Sequence, residues 1–460
     1  MIEDAQMIVD AVVSAWGSAQ AAEGLPGWCA VRCELPTSRS LTRFLDWQAR
    51  QPIAFFAHPE TGEQMLGFGA AQVIAGDGAD VEGETHRQLR EMSIAADLRW
   101  FGGFAFDPTT SLTGIWSGWP QAIWFLPKLT LVREADTAEV RLIYLDHVGQ
   151  SPSEVKRALC ALFATDASDA VSHTAGGTAV ADAMENGLVH DLSAWQTYLE
   201  QSLKEIDEGR LAKVVIARQQ PQRVETTLME TMDRLISGYR DSHAFAMHWH
   251  KLWFLGASPE QLVRAESGTL AVDCLAGSMA RGRTLHEDEA LAAALFASEK
   301  NRNEHQAVVQ FVTDRLKLIS QEIEWPDVPT VKRLANVQHL FTPVRAKLND
   351  GKHILDAVSL LHPTPAVGGV PRADALSFIR THEGWERGYY AGAFGFMDGA
   401  GDGVLTVTLR SAAVRYPTAM LFAGCGIVAG SNVDEEWKET QMKLLPMRMA
   451  FQQGGDTNVQ

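Results

Sequence analysis

Val404-Leu405-Thr406-Val407-Thr408-Leu409-Arg410 alternates strictly, with Leu405, Val407 and Leu409 on one face and Thr406, Thr408 and Arg410 on the other. A period of two marks a strand with one face packed on a core. Tyr416-Pro417-Thr418 then reads as a turn and Met420 to Val428 as a second strand, so the two runs predict an antiparallel hairpin. Working back along the chain, Lys213-Val214-Val215-Ile216-Ala217-Arg218 is a short buried strand, Leu192 to Glu208 reads as a helix, and Leu291 to Ile323 has helical spacing throughout. Helices and strands mix without the regular βαβ alternation of a doubly wound fold. The expected class is α+β, with large, mainly antiparallel sheets flanked by helices.

Further back the character changes. From Thr165 to Asn186 the chain is rich in Asp, Ser, Ala, Thr and Gly with little apolar periodicity, which predicts a linker or long surface loop. Before it come short apolar runs, Ile53 to Ala57 and Ala122 to Leu126, punctuated by Gly-rich turns such as Trp100-Phe101-Gly102-Gly103-Phe104. Residues 1–190 therefore read as a strand-rich part of the same fold, and residues 191–460 as the region that carries the chemistry.

Of the 460 residues 46% are apolar and 21% charged, enough for a substantial core and too few charges for a disordered chain. The formal charge is −17 and no long Lys/Arg run occurs. A nucleic-acid binder needs a basic footprint, so that class is disfavoured. An anionic small molecule remains possible, held by a metal ion or by a few well-placed donors. The five cysteines, Cys29, Cys33, Cys160, Cys274 and Cys425, form an odd, sparse set that suits a reducing compartment. The N-terminus is acidic where a signal peptide is basic, and no run reaches 18 uninterrupted apolar residues. A soluble, cytoplasmic protein is expected, with no membrane or nucleic-acid partner.

Several polar residues stand where the pattern calls for apolar ones. The helical stripe Val308, Phe311, Val312, Leu316 extends back onto Glu304. Either the stripe emerges into solvent there, or a buried carboxylate is neutralised by something. Gly430 to Glu439 begins another helix, with Ser431 or Asn432 as cap. Glu436 and Glu439, three apart, share one face. The helix dipole alone explains acids in a first turn. With Glu304, however, they form an all-oxygen set suited to Mg²⁺, which takes one or two carboxylates and completes its octahedron with water and substrate oxygens. Gly424 and Gly426 bare the backbone close to Arg410, a pattern that fits N–H groups and a guanidinium gripping a carboxylate. Lys213 opens an apolar strand; desolvation favours the neutral amine, which can act as a base, while a strand-end lysine reaching solvent is the plainer alternative. Glu260 in Ser258-Pro259-Glu260 and His339 in Val337-Gln338-His339-Leu340 are ambiguous by themselves.

Taken together, Lys213–Arg218, Gly256–Leu262, Leu275-Ala276-Gly277-Ser278, Ser298–His305, Val337–Val344, His362-Pro363-Thr364-Pro365-Ala366, Tyr390-Ala391-Gly392, Thr408–Ser411, Phe422–Val428 and Glu436–Lys443 resemble, in order, the chorismate-utilising family of isochorismate, anthranilate, salicylate and aminodeoxychorismate synthases. The resemblance implies one α+β domain with two antiparallel sheets and a cleft between them. It implies Glu304 and Glu439 as Mg²⁺ ligands with Glu436 nearby, and Arg410, Tyr390 and the Gly424 and Gly426 amides as holders of the enolpyruvyl carboxylate, with Ser278 and Ala366 also at the substrate. Lys213 and Glu260 match the family's base and acid. Anthranilate synthases usually carry Gln where Lys213 stands, and the aminodeoxychorismate type a Lys within the Leu275–Ser278 loop, so both subtypes, and a glutaminase partner, are disfavoured. What remains is isochorismate synthase, nearest the menaquinone type. The runner-up is salicylate synthase, in which His339 takes part in pyruvate elimination. A siderophore-pathway enzyme and a non-catalytic chorismate-binding relative are further alternatives. Two departures are visible: Asn301 stands where some relatives have an acid one turn before Glu304, and Ser278 replaces a common Thr while keeping its hydroxyl.

Overall fold

The structure, a computed structural model, describes every residue except 1, 37–39, 46–51, 59–60, 79, 93, 135–136, 138, 164–191, 334–336 and 454–460. The linker expected from Thr165 to Asn186 lies outside the described residues.

Twenty described strands join in one continuous hydrogen-bonded network, and its strand pairs are antiparallel. The α+β expectation holds. The two separate sheets implied by the resemblance are instead linked without a break. Register shifts between Ala70 and Gln72 and between Ala276 and Ser278 bend long strands, and such irregularities sharpen local twist, so that one strand can serve two layers. Apolar side chains fill two cores, one around Trp100, Trp124, Phe245 and Phe394, the other around Phe55, Leu129, Leu142 and Leu255.

Both halves of the chain contribute to the same pairings. Ile53–His58 lies beside His243–Trp249, with Phe55 opposite Ala246. Arg99–Phe104 lies beside Ala393–Asp398, with Gly102 opposite Gly395. The segment Trp100–Phe104, expected to turn, is a strand because its glycines serve close approach. A Cβ on Gly102 would fall 2.1 Å from Ile123 O, and one on Gly103 would fall 1.9 Å from Ala393 O.

Two further expectations change. The alternating run is strand only over Gly403–Val407, between Ala393–Asp398 and Gln261–Glu266. It stops because Arg410 takes a left-handed backbone, φ 49°. The hairpin that follows is Ser411–Arg415 with Thr418–Ile427, around Tyr416-Pro417. The long helical run divides into Leu285–Ala297 and Glu299–Leu316, and Ser320–Glu324 is strand. Ser298 makes the division: its side chain accepts from Asn301 N and starts the second helix. Leu192–Asp207 is helical as expected. The last helix, Val433–Phe451, is capped by Asn432, whose Oδ1 accepts from Asp434 N at 2.9 Å and Glu435 N at 3.2 Å.

Candidate active site

Lys213 is the first residue of the strand Lys213–Arg223, which pairs with Thr418–Ile427 on one side and Gly369–Val370 on the other. Its Nζ lies 2.9 Å from Glu304 Oε1, on the helix Glu299–Leu316. Glu304 is half-buried, one turn beyond the buried Val308, so the stripe does bring a carboxylate to the edge of the core, and Lys213 is what neutralises it. The lysine side chain runs over Gly426: a Cβ there would meet Lys213 Cε at 2.6 Å. That contact explains why a central strand tolerates a bare residue at this point.

Glu260 follows Ser258-Pro259 in the short connection between the strands Leu252–Ser258 and Gln261–Glu266. Its backbone is held at both ends, N to Ser258 Oγ at 3.2 Å and O from Val407 N at 3.0 Å. Burial pushes its carboxyl up, against the opposing pull of Arg410 and Lys213, to about 7. A carboxylic acid at that value is protonated over much of the neutral range and can donate.

Arg410 and Tyr390 share a pocket with Ala366, Arg387, Gly424 and Lys443. Burial lowers the Arg410 guanidinium, while Tyr390, Glu439 and Glu260 counter it. The Tyr390 ring stacks on Phe422 with centroids 5.2 Å apart, and its phenol is pushed up by burial. A Cβ on Gly424 would fall 2.7 Å from Ile216 O and 3.2 Å from Tyr390 Oη. Ala366 also borders a second pocket, with Glu260, Thr364, Val308 and Phe311. The acid and the guanidinium thus face adjoining spaces.

The C-terminal helix brings Glu436, Glu439 and Lys443 to the same place. Lys443 Nζ lies 2.6 Å from Glu439 Oε1 and donates to Gly424 O at 2.9 Å. Burial pushes the Glu439 carboxyl up, but Lys443, Arg410 and Lys213 outweigh it and leave it below its ordinary value. Burial raises the Glu436 carboxyl, with Ser431 and Cys425 pulling the other way. Among the described residues no group of three or more His, Cys, Asp or Glu is arranged to hold a metal ion. Here Glu304 is paired with Lys213 and Glu439 with Lys443; two carboxylates would suffice for Mg²⁺, which keeps several waters and binds substrate oxygens.

Ser278 Oγ and His339 Nδ1 are 2.8 Å apart across the pair of strands Thr269–Ala280 and Val337–Leu348. Burial, then Arg410 and Lys443, lowers His339 to about 4, so its ring is neutral at pH 7. Asn301 packs against Gly277, whose Cβ would meet Asn301 Cβ at 3.0 Å.

Three participants were not singled out from the sequence. Lys443 stood four residues after Glu439, a spacing that pairs opposite charges on a helix. Thr364 carried no signal beyond its place between two prolines. Arg387 is buried and forms a two-pronged pair with Glu383, Nε to Oε1 at 2.6 Å and Nη2 to Oε2 at 2.6 Å. It also donates to Val367 O at 3.0 Å and Val215 O at 2.8 Å, tying the Lys213 strand to the Thr364–Ala366 loop.

An acid that titrates near neutrality, a lysine paired with a carboxylate, and a guanidinium in an adjoining pocket suit a small anionic substrate. The chain belongs to the chorismate binding enzymes, whose family pattern matches residues 21–452. It is 35% identical over 443 residues to the salicylate biosynthesis isochorismate synthase of Pseudomonas aeruginosa, covering 95% of this chain and 92% of that one. It is 34% identical over 362 residues to the isochorismate synthase MenF of Bacillus subtilis, covering 77% and 74% respectively. Among solved structures, the menaquinone-specific isochorismate synthase MenF of Escherichia coli superposes with a TM-score of 0.78 at 26% identity, covering 97% of this chain and 100% of that one.

Proposed function

We propose that this chain is an isochorismate synthase, an isomerase that adds water at C2 of chorismate and expels the C4 hydroxyl. The observation that carries the reading is the Glu260 carboxyl, raised to about 7 by burial beside a cavity that contains Arg410. A departing hydroxide needs a proton at the moment its C–O bond breaks, and an ordinary carboxylate is already ionised at pH 7.

The enolpyruvyl carboxylate sits against Arg410, Tyr390 and the backbone of Gly424 and Gly426. Lys213, as the neutral amine, takes a proton from water as its oxygen bonds to C2. The ring double bonds shift by one position each, and the C4–O bond breaks as Glu260 delivers its proton. Water enters and water leaves, so mass is unchanged and the reaction is reversible. Glu304 and Glu439, with Glu436 beside them, would hold Mg²⁺, which supplies charge stabilisation and orientation at the ring carboxylate. No glutaminase subunit is required, because water is the nucleophile. We place the enzyme in the cytoplasm, since its odd, sparse set of five cysteines suits a reducing compartment.

Likeness to the menaquinone-specific enzyme supports a role in menaquinone supply. The Pseudomonas relative, named for salicylate biosynthesis, favours a second reading in which the product feeds salicylate formation by another enzyme.

Incubation with chorismate and Mg²⁺, with and without EDTA, followed by mass-resolved chromatography, tests the reaction. The expected product is an EDTA-sensitive isomer of unchanged mass that approaches equilibrium with chorismate. Salicylate with pyruvate would redirect the assignment to a salicylate synthase, and an absence of turnover to a binding protein. Lys213→Ala is expected to abolish turnover while calorimetry still shows chorismate binding; equal loss of both would remove Lys213 from the role of base.

A further inference from the structure

Ser258 has a hydroxyl that the reaction above does not use, on a residue with 0% exposure. Its Oγ donates to Val407 O and accepts from Glu260 N at 3.2 Å. Val407 N donates in turn to Glu260 O at 3.0 Å, and Ala257 N donates to Arg410 O at 3.2 Å. Residues 257–260 and 407–410 are therefore cross-braced by two main-chain bonds and one side-chain hydroxyl. Glu260 stands at one end of this brace and Arg410 at the other.

Arg410 is held at φ 49°, a backbone conformation that a bulky residue keeps only where its surroundings over-determine it. The brace is one part of those surroundings. A second is the buried Ser411, whose Oγ donates to Thr408 O at 3.1 Å. A third is Gly256, where a Cβ would fall 2.6 Å from Arg410 O.

We propose that Ser258 is a positioning residue that fixes the separation between the Glu260 carboxyl and the Arg410 guanidinium. The inference rests on the reaction read above, and its reason lies in the substrate. The enolpyruvyl ether is on C3 and the departing hydroxyl on C4, one bond away. Once Arg410 holds the enolpyruvyl carboxylate, the acid has to meet the neighbouring carbon, and a misplacement of about 1 Å can cost on the order of 100-fold in rate. Without the Ser258 hydroxyl, Glu260 N and Val407 O each lose a partner inside the protein, and the turn carrying the acid is held to the Arg410 segment only through main-chain bonds.

The test is a rate cycle with Ser258→Ala and Glu260→Gln on the full chain, read as kcat and KM for chorismate at saturating Mg²⁺. Ser258→Ala is expected to lower kcat roughly 10- to 100-fold while KM changes less than about threefold, the pattern of an interaction that matters in the transition state. In the Glu260→Gln background the same change is expected to add almost nothing, because the group it positions has gone. Multiplying effects, or a lowered melting temperature with kcat intact, would reduce Ser258 to a structural hydroxyl and overturn the proposal. Ser258→Cys keeps a weak donor of similar shape and is expected to fall between wild type and Ala. If the Ala variant does not fold, the Cys variant carries the same cycle. A wild type that makes no isochorismate overturns the reaction reading and this inference with it, whereas an active wild type with additive variants overturns only this one.

Discussion

Glu260 shows how far a side chain's chemistry depends on its surroundings rather than on its type. Its carboxyl is raised by burial to about 7 although Arg410 and Lys213 pull the other way. An acid catalyst must be protonated, so turnover is expected to fall as pH rises through about 7, and Glu260→Gln is expected to remove that limb along with most of the rate. A kcat/KM profile from pH 5.5 to 9 for both proteins checks it. The same shift affects stability. The folded state keeps a proton that the unfolded chain gives up near 4.5, so folding is favoured less and less as pH rises between that value and about 7. At pH 8 Glu260→Gln is therefore expected to be the more stable protein, by up to about 3 kcal/mol in urea unfolding. None of this was legible in Ser258-Pro259-Glu260, because burial is a property of the folded cleft. Glu304 was more legible: a carboxylate in line with Val308, Val312 and Leu316 needs a counter-charge, and Lys213 supplies it at 2.9 Å.

The elements explain which side chains could be read in advance. The C-terminal helix was legible from its cap and its glutamate spacing, since both are local: Asn432 accepts from Asp434 N and Glu435 N. Glu439 faces Lys443 at 2.6 Å and lies close enough to Lys213 to be lowered by it. Glu439→Gln is expected to raise the Mg²⁺ concentration for half-maximal activity at least tenfold, with the helix itself unchanged by circular dichroism. An unaltered Mg²⁺ titration would exclude it as a ligand. The hairpin, by contrast, was misassigned by one strand. Alternation continues through Leu409, but Arg410 turns the chain in a conformation that no residue pattern announces, because Arg is not a residue that favours φ 49°. The division of the long helix at Ser298 was present as a cap signal inside an unbroken helical period, and the period dominated the reading.

At the scale of the whole molecule, the class could be read from antiparallel alternation, but the partners of each strand could not. Ile53–His58 finds His243–Trp249, and Arg99–Phe104 finds Ala393–Asp398, pairings across some 190 and 290 residues of chain that leave no mark in local sequence. The same long-range closure brings Arg410 into one cleft with Lys213, Arg387 and Lys443, each of these three paired with a carboxylate, in a chain whose formal charge is −17. For a dianionic substrate the outer field is a barrier and only the last few ångströms attract. Enzymes steered by their own charge lose association rate as salt is added. Here screening is expected to act in the opposite sense at first, with kcat/KM for chorismate rising as ionic strength goes from about 0.01 M to about 0.15 M, over which the Debye length shrinks from about 30 Å to about 8 Å. Stopped-flow binding across that range would show a rising on-rate if the acidic exterior governs the encounter, and a falling one if Arg410 reaches out past it. The interior charge would then act as a filter on which anions stay, after an approach that the exterior makes slow for all of them.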